Sequence, residues 1–170
     1  MFKAIGFAAA LTLAAGAAYA QAPNDAQIAH IAYTAGNIDI AAGKQALAMS
    51  HNKAVLDFAN EMVRDHTAVN DQALALVKKL GVTPQDNPTS QSLASAAAAE
   101  QTKLAALSGA AYDKAYAANE VAFHKTVNGA LSGTLIPSAQ NPELKSLLET
   151  GLKLFQSHQM HAEHLVHGLK

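Results

Sequence analysis

The stretch Val55 to Gly81, VLDFANEMVRDHTAVNDQALALVKKLG, sets the fold class. Val55, Phe58, Ala59, Met62, Val63, Val69, Ala73, Leu76, Val77 and Leu80 recur at spacings of three and four, the period that puts side chains on one face of an α-helix. Gly81 follows as a C-terminal stop. Upstream, Ser50 or Asn52 can cap the same segment, so the spacing predicts a helix over 52–80. The seam through positions 59, 62, 66, 69 and 73 is apolar except for His66, with Asp65 beside it and Glu61 one turn from Asp65.

Working outward, the five prolines, Pro23, Pro84, Pro88, Pro137 and Pro142, fall at the edges of periodic segments, as helix-breaking sterics require. A first helix is expected over 24–49 and a proline-containing loop over 82–90. An Ala-rich helical segment follows over 90–107, with a break at Ser108-Gly109 and a third main helix over about 110–132. A loop over 133–141 leads to Asn141-Pro142, an N-cap followed by proline at the first helical position, which opens the last helix. Leu144, Leu147, Leu148, Gly151, Leu154, Phe155, Ala162, Leu165 and Leu169 mark its apolar face. Nothing alternates with period two, so no sheet is supported. The expected fold is all-α, an antiparallel four-helix bundle with an extra Ala-rich helical segment before the third main helix.

The N-terminus reads Met1-Phe2-Lys3, an uncharged Ala/Leu-rich run, then Ala18-Tyr19-Ala20 before Gln21, the pattern of a cleavable secretory signal. Residues 1–20 are therefore set apart as a signal peptide and 21–170 as one helical-bundle domain, located in the periplasm or secreted. The apolar run is shorter than the roughly 20 residues a membrane span needs, and no transmembrane anchor is expected after cleavage. The chain has no cysteine, which rules out disulfides and thiolate ligands. A formal charge of −1 without a basic block gives nucleic acid nothing to bind.

The functional lead is polar. Asp39 falls on the first helix's seam among Ile28, Ala32, Ala35 and Ala42. Glu120 and His124 sit at i, i+4 on the third, and His158, then His161, follow Leu154 and Phe155 on the fourth. Burying such groups is costly unless they pair, hydrogen-bond or bind a metal. Asp39, Glu61, Asp65, His66, Glu120, His124, His158 and His161 are thus candidate ligands for a divalent ion such as zinc, copper or iron, a choice that ligand type does not make. The alternative is that they only fix helix register by hydrogen bonding. Counting residues from the turns puts Asp39 level with Glu61 but separates His124 from His158 by on the order of 10 Å, which argues against one site containing all of them. His158, His161, His164 and His167 step by three, so neighbours can pair on an ion but all four cannot.

Catalytic motifs are missing. No glutamate is followed three residues later by histidine, the usual signature of bundle di-iron oxidases, and there is no His-Glu-x-x-His, Gly-x-Ser-x-Gly or phosphate-cradling glycine loop. A non-catalytic protein is expected, either metal-binding or an envelope stress or interaction protein. A metal-dependent oxidoreductase is the weaker alternative.

Three motifs occur together: Phe58-Ala59-Asn60-Glu61-Met62-Val63-Arg64-Asp65-His66, Leu107-Ser108-Gly109-Ala110-Ala111-Tyr112-Asp113-Lys114-Ala115-Tyr116 and Glu120-Val121-Ala122-Phe123-His124. With Phe155 and His158 on the last helix, they resemble the bacterial "domain of unknown function 4142" family across essentially all of 21–170. The resemblance implies a secreted, ferritin-like bundle with no assigned activity, and it puts Asp39 where many members carry glutamate. Members are often labelled membrane or outer-membrane proteins, a label that this sequence does not support.

Overall fold

The computed structural model describes residues 22–169; the signal sequence read over 1–20 lies outside them. The described residues form helices α1 (Asp25–Met49), α2 (Lys53–Leu80), α3 (Pro88–Ala105), α4 (Gly109–Ala130), the short α5 (Ile136–Ser138) and α6 (Pro142–Gly168). No strand occurs among them.

Local chemistry explains the boundaries. Asn24 and Gln27 form a reciprocal capping box at the start of α1, and the Asn52 side chain accepts from Ala54 N at the start of α2. Gly81 ends α2 with φ of 65°, the left-handed turn that glycine adopts without strain. Asn87 and Asn141 cap α3 and α6, each followed by proline in the first turn. The Asp25 carboxylate accepts from the backbone of Gln140 and Asn141 at 2.8 and 2.9 Å, tying the start of α1 to the start of α6.

The loop expected over 133–141 is largely helical. A π-helical turn, Leu131–Leu135, runs on from α4 into α5, so only Ala139 to Asn141 are irregular. The wider turn keeps Leu131 and Leu135 both buried, and their burial outweighs the breaking tendency of Gly133 and Pro137. Pro137 therefore stands inside a helical segment rather than at its edge.

α1 packs on α2 and α4, and α6 packs on the same two helices. α3 lies outside against α1, burying only Ser90 and Leu104, and carries the chain from one end of the bundle to the other. Consequently α2 and α4 run one way and α1 and α6 the other, so each neighbouring pair is antiparallel. One apolar cluster, including Ala46, Val55, Leu104, Tyr112 and Leu165, fills the end near the α1–α2 turn. A second, including Ile28, Leu131, Leu135, Leu144 and Leu148, fills the other end. The charged and imidazole side chains buried in the bundle lie mainly between the two.

Small residues let α1 and α2 approach closely. A Cβ on Gly43 would stand 2.8 Å from Val63 Cγ2 and 3.1 Å from the Ala59 carbonyl oxygen. Gly151, in the middle of α6, borders a cavity, and a Cβ there would make ordinary contact with Phe155 at 3.5 Å. We expect Gly43→Ala to destabilise the fold by about 1–3 kcal/mol through overpacking. Gly151→Ala should stabilise it by about 0.5–1 kcal/mol through reduced chain entropy. Urea midpoints of the two variants measure this contrast, and a shift of the same sign in both would refute the packing account.

Candidate metal centre

Asp39 from α1, His66 from α2, Glu120 and His124 from α4, and His158 from α6 are all at most 2 % exposed. Asp39 is the hub. Its Oδ2 lies 2.7 Å from His66 Nε2 and 3.2 Å from His124 Nε2. The three imidazoles face one another, with ring centroids 5.3 to 5.7 Å apart. Phe155 stacks on His66 at 4.6 Å and forms a wall between the polar layer and an apolar cavity of about 540 Å³ in the far half of the bundle.

The separation of about 10 Å between His124 and His158 expected from counting is corrected here to a ring-centroid distance of 5.5 Å. Helix extends to Ser138, so fourteen residues separate His124 from its helix end and sixteen separate His158 from Pro142. At 1.5 Å per residue that mismatch is only about 3 Å. Asp39, expected level with Glu61, meets His66 instead. Glu61 pairs with His161, whose Nδ1 is 3.1 Å from Glu61 Oε1. Asp65 Oδ2 lies 3.1 Å from His158 Nε2. The eight candidate residues thus divide into a buried quintet and an outer group, half-buried Glu61 and Asp65 with exposed His161, joined to it through His158.

Hydrogen bonds outside the layer set the ring tautomers. His124 Nδ1 is 3.0 Å from the Glu120 backbone carbonyl, an acceptor only, so Nδ1 carries the hydrogen and Nε2 presents its lone pair inward. His158 Nε2 donates to Asp65, which leaves Nδ1 with the lone pair. His124 Nε2, His158 Nδ1, both nitrogens of His66, both oxygens of Asp39 and Glu120 Oε2 have no hydrogen-bond partner among the described residues. The contact between His66 and Asp39 is within hydrogen-bonding distance but misses hydrogen-bond direction.

Electrostatics follows from burial. Desolvation lowers the His124 pKa, and desolvation with the neighbouring His66 lowers His158 to about 4, so both rings are neutral at pH 7. Desolvation and the adjacent Asp39 hold Glu120 well above the ordinary carboxylate value. Burial alone would raise Asp39 as well, but His66, His124 and Glu120 outweigh it and keep Asp39 ionised. The Tyr116 hydroxyl, beside Glu120, is pushed well above 10 by burial and that carboxyl, and it keeps its proton.

Ligand atoms of His66, His124 and His158 lie within 4.8 Å of one another, as do those of Asp39, Glu120 and His124. Ligands around one transition-metal ion stand roughly 3–4 Å apart, so small rotations close either set on an ion. Tyr116 and Phe155 were invisible as site residues in the sequence, because an aromatic on an apolar seam reads as core.

The fold and site define an antiparallel four-helix bundle whose central layer is built from imidazoles and carboxylates of all four main helices. A family model described as "Domain of unknown function (DUF4142)" matches residues 10–165, and the chain belongs to that family. No curated protein and no solved structure matches it. No helix of the described residues is long and apolar enough to cross a membrane.

Proposed function

We propose that this protein is an exported metal-binding bundle of the bacterial periplasm that holds one divalent transition-metal ion between Asp39, His66, Glu120, His124 and His158. One observation carries the reading: seven buried nitrogen and oxygen atoms in this layer lack hydrogen-bond partners, and two of the rings have their lone pairs turned inward by outer partners. Buried polar atoms are normally satisfied by protein or water. Metal-ligating imidazoles usually donate their other ring N–H to a carboxylate or a backbone carbonyl, the arrangement of His158 on Asp65 and of His124 on the Glu120 carbonyl. Charge is compatible with the same reading: Asp39 is ionised, and a divalent cation that displaced the proton of Glu120 would leave the buried layer without net charge. Nitrogen and carboxylate ligands suit zinc, copper and iron alike.

The test starts with untagged protein from the periplasmic fraction, whose N-terminus is expected at Gln21. Metal analysis and calorimetric titration with zinc, copper and ferrous iron should show one tight ion per chain. At a hundredfold excess over Kd that ion adds about 2.7 kcal/mol to the unfolding free energy. No tight stoichiometric binding, or binding that survives His66→Ala and Glu120→Ala unchanged, would sink the proposal.

A further inference from the structure

α2 and α6 run antiparallel, and their facing edges carry a pattern that the core site does not use. On α2, Asp57, Glu61 and Asp65 recur every four residues; on α6, His158, His161 and His164 recur every three. Steps of three and four both keep a side chain near one helix face, so the two series run past each other as rungs. Asp65 meets His158 at 3.1 Å, Glu61 meets His161 at 3.1 Å, and Asp57 and His164 line the same groove with Glu61 and His161. Exposure rises along the rungs: the paired side chains are 18 % and 0 % exposed for Asp65 and His158, and 27 % and 48 % for Glu61 and His161. Asp57 and His164 are exposed. The ladder therefore leads from solvent to the edge of the core.

We propose that Glu61, Asp65 and His161 form a second, outward-facing site for a divalent transition-metal ion, which captures the ion and delivers it to the core past His158. The loading step rests on the core site proposed above; the outer site does not. Ligand atoms of Glu61, Asp65 and His158 lie within 4.8 Å of one another, and the His161 ring is in contact with both Glu61 oxygens, at 3.1 and 3.2 Å. Arg64 Nε holds Asp65 Oδ1 at 2.7 Å, but its side chain is 70 % exposed and free to swing away as a cation arrives. His158 is the boundary. Its Nε2 belongs to the outer carboxylate and its Nδ1 faces the buried layer, so one ring borders both sites. Lys53 pairs with Asp57 at 2.6 Å, so the attraction at the mouth of the groove comes from Glu61, whose carboxylate raises the local cation concentration and speeds capture.

Cobalt(II) is a suitable probe, because its visible absorption reports coordination as it changes. The purified protein should bind two ions, a weaker one within the mixing time and a tighter one more slowly. In Glu61→Gln/His161→Ala the weak ion should be lost and core loading should slow on the order of tenfold, with the core Kd unchanged. His164→Ala/His167→Ala, which leaves the three proposed ligands in place, should retain both ions and separates the site from generic binding by the histidine-rich tail. In Asp39→Asn the weak ion should remain, so failure of the core site and failure of the outer site are read separately. Two ions retained in Glu61→Gln/His161→Ala would overturn the outer site. Loss of the weak ion with an unchanged loading rate would overturn its role in delivery.

Discussion

Replacing Asp39 by asparagine will lower core metal affinity on the order of 100-fold or more, yet change the stability of the metal-free protein by only about 1 kcal/mol. Outer partners of a metal ligand cost 10–100-fold when removed, by the usual magnitudes, and Asp39 is a direct ligand in the proposed site. Its carboxylate contacts His66 and His124 and so links α1 to α2 and α4 at the layer. Asparagine keeps the shape and supplies an N–H for the inward lone pair of His124, so the metal-free layer stays packed. A layer that served only to fix helix register predicts the reverse ranking. Removing one partner of a buried charged pair then costs about 3–5 kcal/mol and moves no metal affinity. Calorimetric metal titration together with urea unfolding in chelator distinguishes the two. A large stability loss with no affinity to lose would end the metal reading.

The sequence carried the parts of this design that depend on periodicity. The α2 face was legible because its apolar residues keep strict helical spacing, and Asp39, His66, Glu120, His124 and His158 stood out because each interrupts such a face. Their convergence was not legible. It depends on where α4 ends, and Gly133 and Pro137 give a stop signal that the π-helical turn overrides to bury Leu131 and Leu135. A seam continuing through 124, 127, 131 and 135 was the available hint, since those positions keep helical spacing across Gly133. Tertiary pairing was equally hidden. Nothing in the local pattern of α4 tells Asp113 to accept a 2.6 Å hydrogen bond from Ser50, which fastens α4 to the α1–α2 turn.

Stability of the metal-free protein will fall between about pH 6.5 and pH 4, and the fall will be steeper in Glu120→Gln. His158 has a folded-state pKa of about 4 against an ordinary value of 6.5. Across that window the unfolded chain binds a proton that the folded chain refuses, so stability is complete above the upper value and lost on descent to the lower. The difference corresponds to about 3 kcal/mol. His124 is lowered by the same cause and acts in the same direction. Glu120 opposes them. Its folded-state pKa is well above 4.5, so its folded form binds the extra proton and gains stability as pH falls towards 4.5. Asp39 and Asp65, both lowered from 3.8, keep their contribution through this window and lose it only at lower pH. Glutamine at position 120 removes the opposing effect while keeping an amide to face Asp39 and the Tyr116 hydroxyl. Urea midpoints in chelator at about pH 7.5 and about pH 4.5 measure the result. If Glu120→Gln were as stable at the lower pH as at the higher, His124 and His158 would not be the buried neutral rings that a metal needs as ligands.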